Sequence, residues 1–269
     1  MSFPRAKITD RLNANVDTLL STLGGGKAAR GLFLAEIYSP GDSGNASPFL
    51  KTLFPEVKIA ATIERSLQTA LGRGWDHMAA DIARAAVGNA ETNYSVLGSI
   101  PVVTANQIEG IITSYTTGAG HAIPDTTREL ELILPGIASP GPKDSVNETD
   151  DVFFVGGDGF ENHIEIKTPK PNYDQGRASK RRILRILAAR SGVSARAFVG
   201  LPYNPNGLLG DYTWPTTKYM LDLNVDLKVG KDFWNFVGDS PDTYDNLMDC
   251  FLEVAVARKP DLLELLSEV

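Results

Sequence analysis

The stretch DVFFVGGDGFENHIEIK (151–167) decides the fold, because it predicts a β-hairpin. DVFFV (151–155) is an apolar strand, GGDG (156–159) is a tight turn, and NHIEIK (162–167) is a second strand with alternating character. Apolar runs joined by a glycine-rich turn are typical of two antiparallel strands. The rest of the chain is interpreted outward from this hairpin.

The hairpin also places chemically active side chains together. A strand repeats every two residues, so Glu165 and Lys167 share one face while Ile166 points into the core. Asp151, at the start of the partner strand, can reach the same cluster. Carboxylates that hold Mg²⁺ supply charge neutralisation and an acidified water for phosphodiester hydrolysis, and a neighbouring lysine stabilises the transition state. This pattern predicts a metal-dependent nuclease site.

An acid-x-Lys triplet by itself is weak evidence for a nuclease site, because it is more often part of a solvated strand or helix face. The chain has three such triplets, which are Glu56–Lys58, Glu165–Lys167 and Asp226–Lys228. Glu56 follows a proline and opens a predicted helix, where an acid suits the helix dipole. Asp226 has no hairpin partner that carries an acid. Only the central triplet combines a strand, an acidic partner strand and a basic helix just after it.

The elements around the hairpin predict an α/β fold. A long loop rich in Pro, Gly and Ser (134–148) is expected before the hairpin. Helical periodicity covers two N-terminal stretches, 7–22 and 57–88, as well as a basic stretch, 176–191. Buried strands are predicted within 195–205 and 218–230, followed by C-terminal helices that begin at Asp232 and Thr243.

Charge is distributed unevenly in this acidic chain, whose net charge is −7 and whose pI is about 5.1. Between Lys167 and Arg196 nine basic residues face a single acid, Asp174. DNA responds to the local field of one protein face, so whole-chain charge does not exclude it. The stretch predicts a basic helix that lines a DNA cleft; the alternative is a solvated helix face.

The motif Asp151…Glu165-Ile166-Lys167 resembles the PD-(D/E)XK nuclease motif. The longer strings EIKTPKPNYDQ, FVGLPYNPNG and VGKDFWNFVGDSPDTYDNLM resemble type II restriction endonucleases of the TdeIII group, over about residues 60–250. The resemblance implies a mixed sheet flanked by helices with a helical N-terminal part, Mg²⁺-dependent cleavage of double-stranded DNA with Mn²⁺ as a possible substitute, and a homodimer. Asp150 stands where the motif has proline, which leaves Asp150 and Asp151 as competing metal ligands; Asp151 is preferred because it directly precedes the apolar run.

Further site residues follow from the same resemblance. Asp76, on a helix before the core, matches an outer metal contact, with Glu64 as a weaker candidate. Gln175 matches a polar position after the motif, and an ordinary capping role is equally consistent with it. His163 shares parity with Glu165, but a surface strand residue is the better interpretation. No H-x-x-H or G-x-S-x-G motif occurs, which argues against zinc or serine-nucleophile chemistry.

Base and phosphate contacts require Arg, Lys, Asn or Gln. The candidates lie after the motif, on the basic helix and in the loop after Pro202: Lys170, Asn172, Arg177, Lys180, Arg181, Asn204 and Asn206. The resembled group reads short GC-rich palindromes, so a GGNCC-like site is expected. Two rival functions stay open, a structure-specific repair or recombination nuclease of the same fold and a DNA-binding module without catalysis.

Length and composition suit one large domain, or one domain with an elaborated end. The resemblance implies a single nuclease domain over residues 1–269, with a helical elaboration at about 1–60 and a catalytic core at about 60–250. The 269 residues with 42% apolar content suit a sizeable buried core. The single cysteine, Cys250, excludes an internal disulfide, and the sequence shows neither a signal-peptide pattern nor a membrane-spanning run. The expected location is the cytoplasm.

Overall fold

A computed structural model describes residues 2–24, 69, 72, 74–115, 122–208 and 210–267 of the chain. The helices are α1 (Arg5–Gly24), α2 (Trp75–Val87), α3 (Val102–Ser114), α4 (Thr126–Ile133), a 3₁₀ turn (Leu134–Ala138), α5 (Tyr173–Ala189), α6 (Pro215–Met220), α7 (Lys231–Val237) and α8 (Thr243–Ser267). The strands are β1 (Glu91–Pro101), β2 (Lys143–Val155), β3 (Glu161–Ile166), β4 (Ala195–Leu201) and β5 (Leu227–Val229).

These strands form one five-stranded sheet in the order β1-β2-β3-β4-β5. The first three strands pair antiparallel, and β3, β4 and β5 pair parallel. The parallel pairs need crossover connections, and α5 provides the one between β3 and β4. The predicted α/β architecture, a mixed sheet flanked by helices, is confirmed.

The two faces of the sheet are packed by different helices. Ile183 and Ile186 of α5 lie in one apolar cluster with Val199 of β4. The next residue, Gly200, points to the opposite face, where a Cβ atom would lie 2.3 Å from the Phe233 ring of α7. Glycine is required at position 200 because α7 packs directly on the strand backbone.

The hairpin turn forms as predicted. The N–H of Gly156 donates to the carbonyl of Phe160 at 2.9 Å, which closes the turn between β2 and β3. Gly159 has a φ of +81°, a backbone conformation that side-chain-bearing residues rarely adopt. The glycine-rich GGDG stretch is therefore a local requirement of the hairpin.

Two sequence-based boundaries were wrong. The expected loop 134–148 begins with the 3₁₀ turn, and from Lys143 onward it already belongs to β2, whose residues pair with β1 as far as Pro101 opposite Lys143. Exposed and buried residues alternate along the first part of β2. The polar residues that predicted a loop lie on the solvated side of this strand. Within 218–230 the strand is only Leu227–Val229, because α6 takes Pro215–Met220. Of the helix predicted over 57–88, α2 is observed, and most of the earlier part lies outside the described residues.

The chain divides into two compact units. One runs from Asp76 to Tyr244 with residues 1–4 and contains the whole sheet; it lies within the predicted core except for those four residues. The other comprises residues 5–75 and 245–269, and in it Arg5 forms an ion pair with Glu253 at 2.5 Å. The expectation of a single domain stays a prediction.

No helix among the described residues is both long enough and apolar enough to cross a membrane.

Candidate active site

The hairpin brings the three predicted catalytic side chains together. The ladder between β2 and β3 reaches Val152 opposite Ile164, and the next residues outward are Asp151 and Glu165. The carboxylate of Asp151 accepts a hydrogen bond of 2.6 Å from the backbone N–H of Ile166. The Lys167 ammonium lies 2.7 Å from Oε1 of Glu165. Two carboxylates and one ammonium therefore occupy one end of the hairpin.

The two adjacent aspartates have different environments. Asp150 is fully buried, shares a hydrogen bond of 2.7 Å with Nδ1 of His163 and forms an ion pair with Arg182 of α5. Asp151 is half-buried and lies beside the Glu165–Lys167 pair. The oxygens of Asp150 are already engaged inside the protein, so the geometry favours Asp151 as the metal ligand of the pair.

The pairing of β1 with β2 is irregular beside these two aspartates. The β1–β2 register skips the pair Asn93–Asp151, and Asn93 has a φ of +54°. Asp150 and Phe153 both contact His163, Phe153 at 5.1 Å between ring centroids, although residues three apart on a regular strand point to opposite faces. The register is the same on both sides of the missing pair, so no residue is inserted, and the local irregularity lets Asp150 and Phe153 reach the same histidine.

The electrostatics of the cluster suit a bound cation. Burial raises the pKa of the Asp151 carboxyl, and the charge of Glu165 acts in the same direction. The Ile166 N–H bond and the charge of Lys167 oppose that rise. Ionisation of the Asp151 carboxyl is therefore energetically unfavourable in the folded protein. A cation beside the carboxylate would stabilise its ionised form.

The donor set fits a magnesium-like ion. Oε2 of Glu165 is buried and has no hydrogen-bond partner among the described residues. The part of the chain that the structure describes contains no group of three or more His, Cys, Asp or Glu side chains that would hold a metal. Mg²⁺ does not need one, because it is commonly held by one or two carboxylates together with waters and substrate phosphates. Asp151 and Glu165 provide such a pair.

The basic helix is not the DNA-facing surface that its sequence predicts. Lys180 is fully buried, lies 2.6 Å from Asp226 and also pairs with Glu129, so its assignment to DNA was wrong. Arg181 is held by Glu109 at 2.5 Å. The Asp226–Lys228 triplet is likewise no second nuclease site, because Asp226 forms an ion pair with Lys180.

Arg185 of α5 and Arg190, which directly follows the helix, are also paired. Arg185 lies 2.7 Å from Asp144 of β2, and Arg190 lies 3.3 Å from Glu161 of β3. Together with the Arg182–Asp150 pair, these contacts match most of the basic side chains of this region with acids that are remote in sequence. The folded surface around α5 therefore carries much less positive charge than the nine-to-one ratio of the sequence stretch indicates.

The asparagine candidates mainly shape the backbone. Asn172 caps α5, and its side chain accepts from the N–H of Gln175 at 2.9 Å while the Gln175 side chain accepts from the N–H of Asn172 at 2.8 Å. This capping box typically contributes about 1 kcal/mol. Asn204 and Asn206 donate to the carbonyls of Gly210 and Asp211, each at 2.6 Å. Their side-chain amides stabilise loops in this structure.

Two cationic candidates remain available at the surface near the motif. Lys170 is exposed, with its ammonium 5.5 Å from the centroid of the Trp214 ring. The Arg177 guanidinium lies 5.7 Å from the Tyr173 ring. Aromatic contacts hold a cation without neutralising it, so both side chains can still meet a phosphate.

The structure shows no contact between the hairpin and the residues predicted as outer metal contacts, Asp76 and Glu64, so far as these are described. Asp76 lies in the first turn of α2, where its buried Oδ1 has no hydrogen-bond partner among the described residues. It is not among the main groups that shift the pKa of Asp151. Glu64 lies outside the described residues.

His163, expected at the surface, is fully buried, because Asp150 and Glu161 flank its two ring nitrogens. Spacing alone does not reveal such a buried partner, and sequence reasoning missed it.

Known proteins with related sequences belong to one class. A family model described as type II restriction endonuclease, HinfI, matches residues 36–255. Type II restriction enzyme HgiEI of Herpetosiphon aurantiacus is 30% identical over 270 residues, covering 98% of this chain and 97% of the relative. HgiCII of the same organism is also 30% identical, with 96% of each chain covered. None of these descriptions mentions the TdeIII group or the PD-(D/E)XK motif, so both groupings stay predictions.

Proposed function

Because the chain belongs to the HinfI family of type II restriction endonucleases, and is thus a site-specific deoxyribonuclease, we propose that it hydrolyses double-stranded DNA with Mg²⁺ through a PD-(D/E)XK site made of Asp151, Glu165 and Lys167. The observation that carries the proposal is the hairpin end. There the Asp151 carboxylate contacts the Ile166 backbone while Lys167 lies 2.7 Å from Glu165.

Each residue has a distinct task. Asp151 and Glu165 would hold the metal ion, and the oxygen most ready to do so is Oε2 of Glu165, which is buried and has no hydrogen-bond partner among the described residues. When bound, the ion supplies charge neutralisation at the phosphate and lowers the pKa of water. Lys167 places a positive charge where negative charge develops on the scissile phosphate, and its contact with Glu165 keeps the ammonium oriented. Mn²⁺ has the same preference for oxygen ligands and should substitute.

The proposed active form is a homodimer in the cytoplasm. A palindromic duplex has two equivalent scissile phosphates, and each hairpin provides one set of catalytic residues. Two-fold symmetry would present one site to each strand. Sedimentation of the enzyme with a duplex oligonucleotide tests this assembly, and a complex containing one protein chain would contradict it.

The proposed recognition sequence is a short GC-rich palindrome of the GGNCC type, which rests on the resemblance of EIKTPKPNYDQ to the TdeIII group. Curated relatives named as restriction enzymes favour a sequence-specific cutter over a structure-specific repair nuclease. A sequenced plasmid digested with Mg²⁺ should give discrete bands whose ends map to one motif. A smear, or cuts only at junctions and flaps, would contradict the proposal.

The matched control for that digestion is Glu165→Gln, which keeps the size of the side chain and removes its charge. This variant should bind the plasmid and leave it intact. Banding that persists in the variant would mean that another site or a contaminating nuclease does the cutting.

A further inference from the structure

The segment TPKPN (168–172), which joins β3 to α5, is anchored at both ends and begins directly after the proposed catalytic Lys167. At its start the N–H of Lys167 donates to the carbonyl of Gly200 at 3.1 Å, and at its end Asn172 caps α5. Both prolines of the segment are buried, and proline rings restrict the backbone torsion φ. The segment is therefore stiffer than its irregular backbone suggests.

Two aromatic side chains from one remote stretch also hold this segment. The hydroxyl of Tyr212 donates to the carbonyl of Pro169, and Nε1–H of Trp214 donates to the carbonyl of Pro171, each at 2.8 Å. Each aromatic residue lies 43 positions beyond the proline that it contacts. Tyr212 and Trp214 together are called the aromatic clamp.

The aromatic clamp is itself fixed by packing. Helix α6 starts at Pro215, directly after Trp214, and the Tyr212 hydroxyl lies 2.9 Å from Oγ1 of Thr217 in that helix. A Cβ atom on Gly176 of α5 would lie 3.2 Å from the side chain of Met220, so α6 packs closely on α5. The clamp is thus attached to the same helix that follows the segment it holds.

Lys170 projects outward between the two clamped carbonyls. It is exposed, whereas Pro169 and Pro171 on either side are buried. Its ammonium lies 5.5 Å from the centroid of the Trp214 ring. The face of an aromatic ring attracts a cation without supplying a negative charge, so Lys170 keeps its charge for an external anion. Trp214 therefore contacts both the backbone beside Lys170 and the ammonium itself.

The chain keeps Lys170 close to the catalytic lysine. Three residue steps span at most about 11 Å, which limits the distance between the Cα atoms of Lys167 and Lys170. Phosphates of one DNA strand recur about every 3.4 Å along the helix axis. A duplex whose scissile phosphate meets Lys167 therefore carries further phosphates within the span that Lys170 covers.

We infer that Tyr212 and Trp214 are positioning residues for DNA binding. They hold segment 168–172 in place before DNA arrives, so that Lys170 meets a backbone phosphate near the scissile one without first being ordered. A contact that is already in place avoids the entropic cost of fixing a flexible side chain on binding. The inference rests on the proposed function and deepens it, because it names residues that prepare the substrate contact.

The test is a double-mutant cycle on DNA affinity. Trp214→Phe keeps an aromatic ring and removes the indole N–H, Tyr212→Phe removes only a hydroxyl, and Lys170→Met removes the charge. Each clamp variant is made alone and together with Lys170→Met. All are titrated into a fluorescein-labelled duplex that spans a mapped cut site, in CaCl₂ to suppress cutting and in about 50–200 mM NaCl, a range in which phosphate contacts respond steeply to salt. Urea denaturation gives the free energy of unfolding of every variant.

Two matched controls accompany the cycle. Trp234 of α7 donates from Nε1 to the carbonyl of Pro202 at 2.8 Å, so Trp234→Phe removes a hydrogen bond of the same kind and length elsewhere in the fold. Its effect on affinity should be the same with Lys170 and with Met at that position. Lys170→Arg keeps the charge and should keep the salt dependence of wild type.

Lys170→Met should reduce the slope of log K against log salt by about 0.9 per protomer. Trp214→Phe should weaken binding by about three- to tenfold per protomer and keep the slope, because the phosphate contact still forms but the side chain must be ordered first. In the Lys170→Met background the same substitution should weaken binding by less than about twofold, since the two residues act through one contact. Tyr212→Phe should show the same dependence on Lys170.

Equal weakening by Trp214→Phe in both backgrounds would mean that Trp214 only supports the fold, and it overturns the inference. If Trp214→Phe does not fold, the comparison is made with Tyr212→Phe, and equal weakening there overturns it likewise. An unchanged salt slope in Lys170→Met, with wild-type enzyme that cuts and binds, also overturns this inference alone. Wild-type enzyme that neither cuts plasmid nor binds the duplex overturns the proposed function and this inference with it.

Discussion

Replacing each of the adjacent aspartates by asparagine should separate stability from catalysis. Asp150→Asn leaves the Arg182 guanidinium, which is only 7% exposed, without its carboxylate. Removing one partner of a buried ion pair typically costs about 3–5 kcal/mol, because the other charge stays buried and unpaired. At about 2–4 °C per kcal/mol for a chain of this size, the melting temperature should fall by about 6–20 °C.

Asp151→Asn should have the opposite profile. The folded-state pKa of Asp151 is raised, so ionised Asp151 opposes folding and its removal does not weaken the fold. We expect the free energy of unfolding to change by less than about 1 kcal/mol, because the amide oxygen of asparagine can still accept the hydrogen bond from the Ile166 N–H. Metal binding should weaken strongly, since one of only two proposed carboxylate ligands is lost.

The assay has two readouts on the same preparations. Urea denaturation followed by circular dichroism gives the free energy of unfolding, and calorimetric titration of Mn²⁺ into each enzyme–DNA complex gives metal affinity. The titrations are run well below the melting temperature of Asp150→Asn, so that this variant is folded. The reasoning is refuted if Asp150→Asn is as stable as wild type and loses Mn²⁺ binding while Asp151→Asn retains it.

Three further substitutions test the packing and the charges. Gly200→Ala should lower the free energy of unfolding by about 1–3 kcal/mol in urea denaturation, because its Cβ would press on the Phe233 ring at 2.3 Å; a neutral effect would contradict the packing of α7. Lys180→Met should cost about 3–5 kcal/mol in the same assay, since Asp226 is left buried and unpaired, and should leave the salt slope of DNA binding unchanged; a reduced slope would mean that Lys180 reaches DNA. Lys228→Met should raise stability at neutral pH, because burial lowers the pKa of that ammonium and so penalises its charged form. The gain should vanish in melting curves as pH rises through this lowered pKa toward the ordinary 10.5, where the lysine is neutral in both states; a gain independent of pH would contradict it.

Local sequence patterns predicted the parts of the fold that depend on local rules. The hairpin follows from the two apolar runs and the glycine-rich turn between them, and α5 follows from its apolar period. Strand parity placed Glu165 and Lys167 together, and the structure shows them in contact. These features need no knowledge of distant residues, since each depends on neighbours within a few positions.

Features that depend on remote partners were missed. The charge of α5 was overestimated because Glu109, Asp144 and Asp226, which neutralise its side chains, lie far away in sequence. The buried environment of His163 includes Asp150 of the neighbouring strand, 13 residues earlier in the sequence. A period-two pattern places consecutive aspartates on opposite faces, but it does not show which face is closed by remote partners such as Arg182.

The most direct test of the catalytic assignment is single-turnover cleavage by Lys167→Ala. The lysine acts on the charge that develops at the scissile phosphate, so its loss should slow cleavage by about 10²–10³-fold or more. Affinity for the same duplex in Ca²⁺ should stay close to that of wild type, because other contacts supply binding. Rates are measured with saturating enzyme and Mg²⁺ on a duplex that contains one mapped site. Cleavage within about tenfold of wild type, a loss of less than 1.4 kcal/mol in transition-state stabilisation, would place the active site elsewhere.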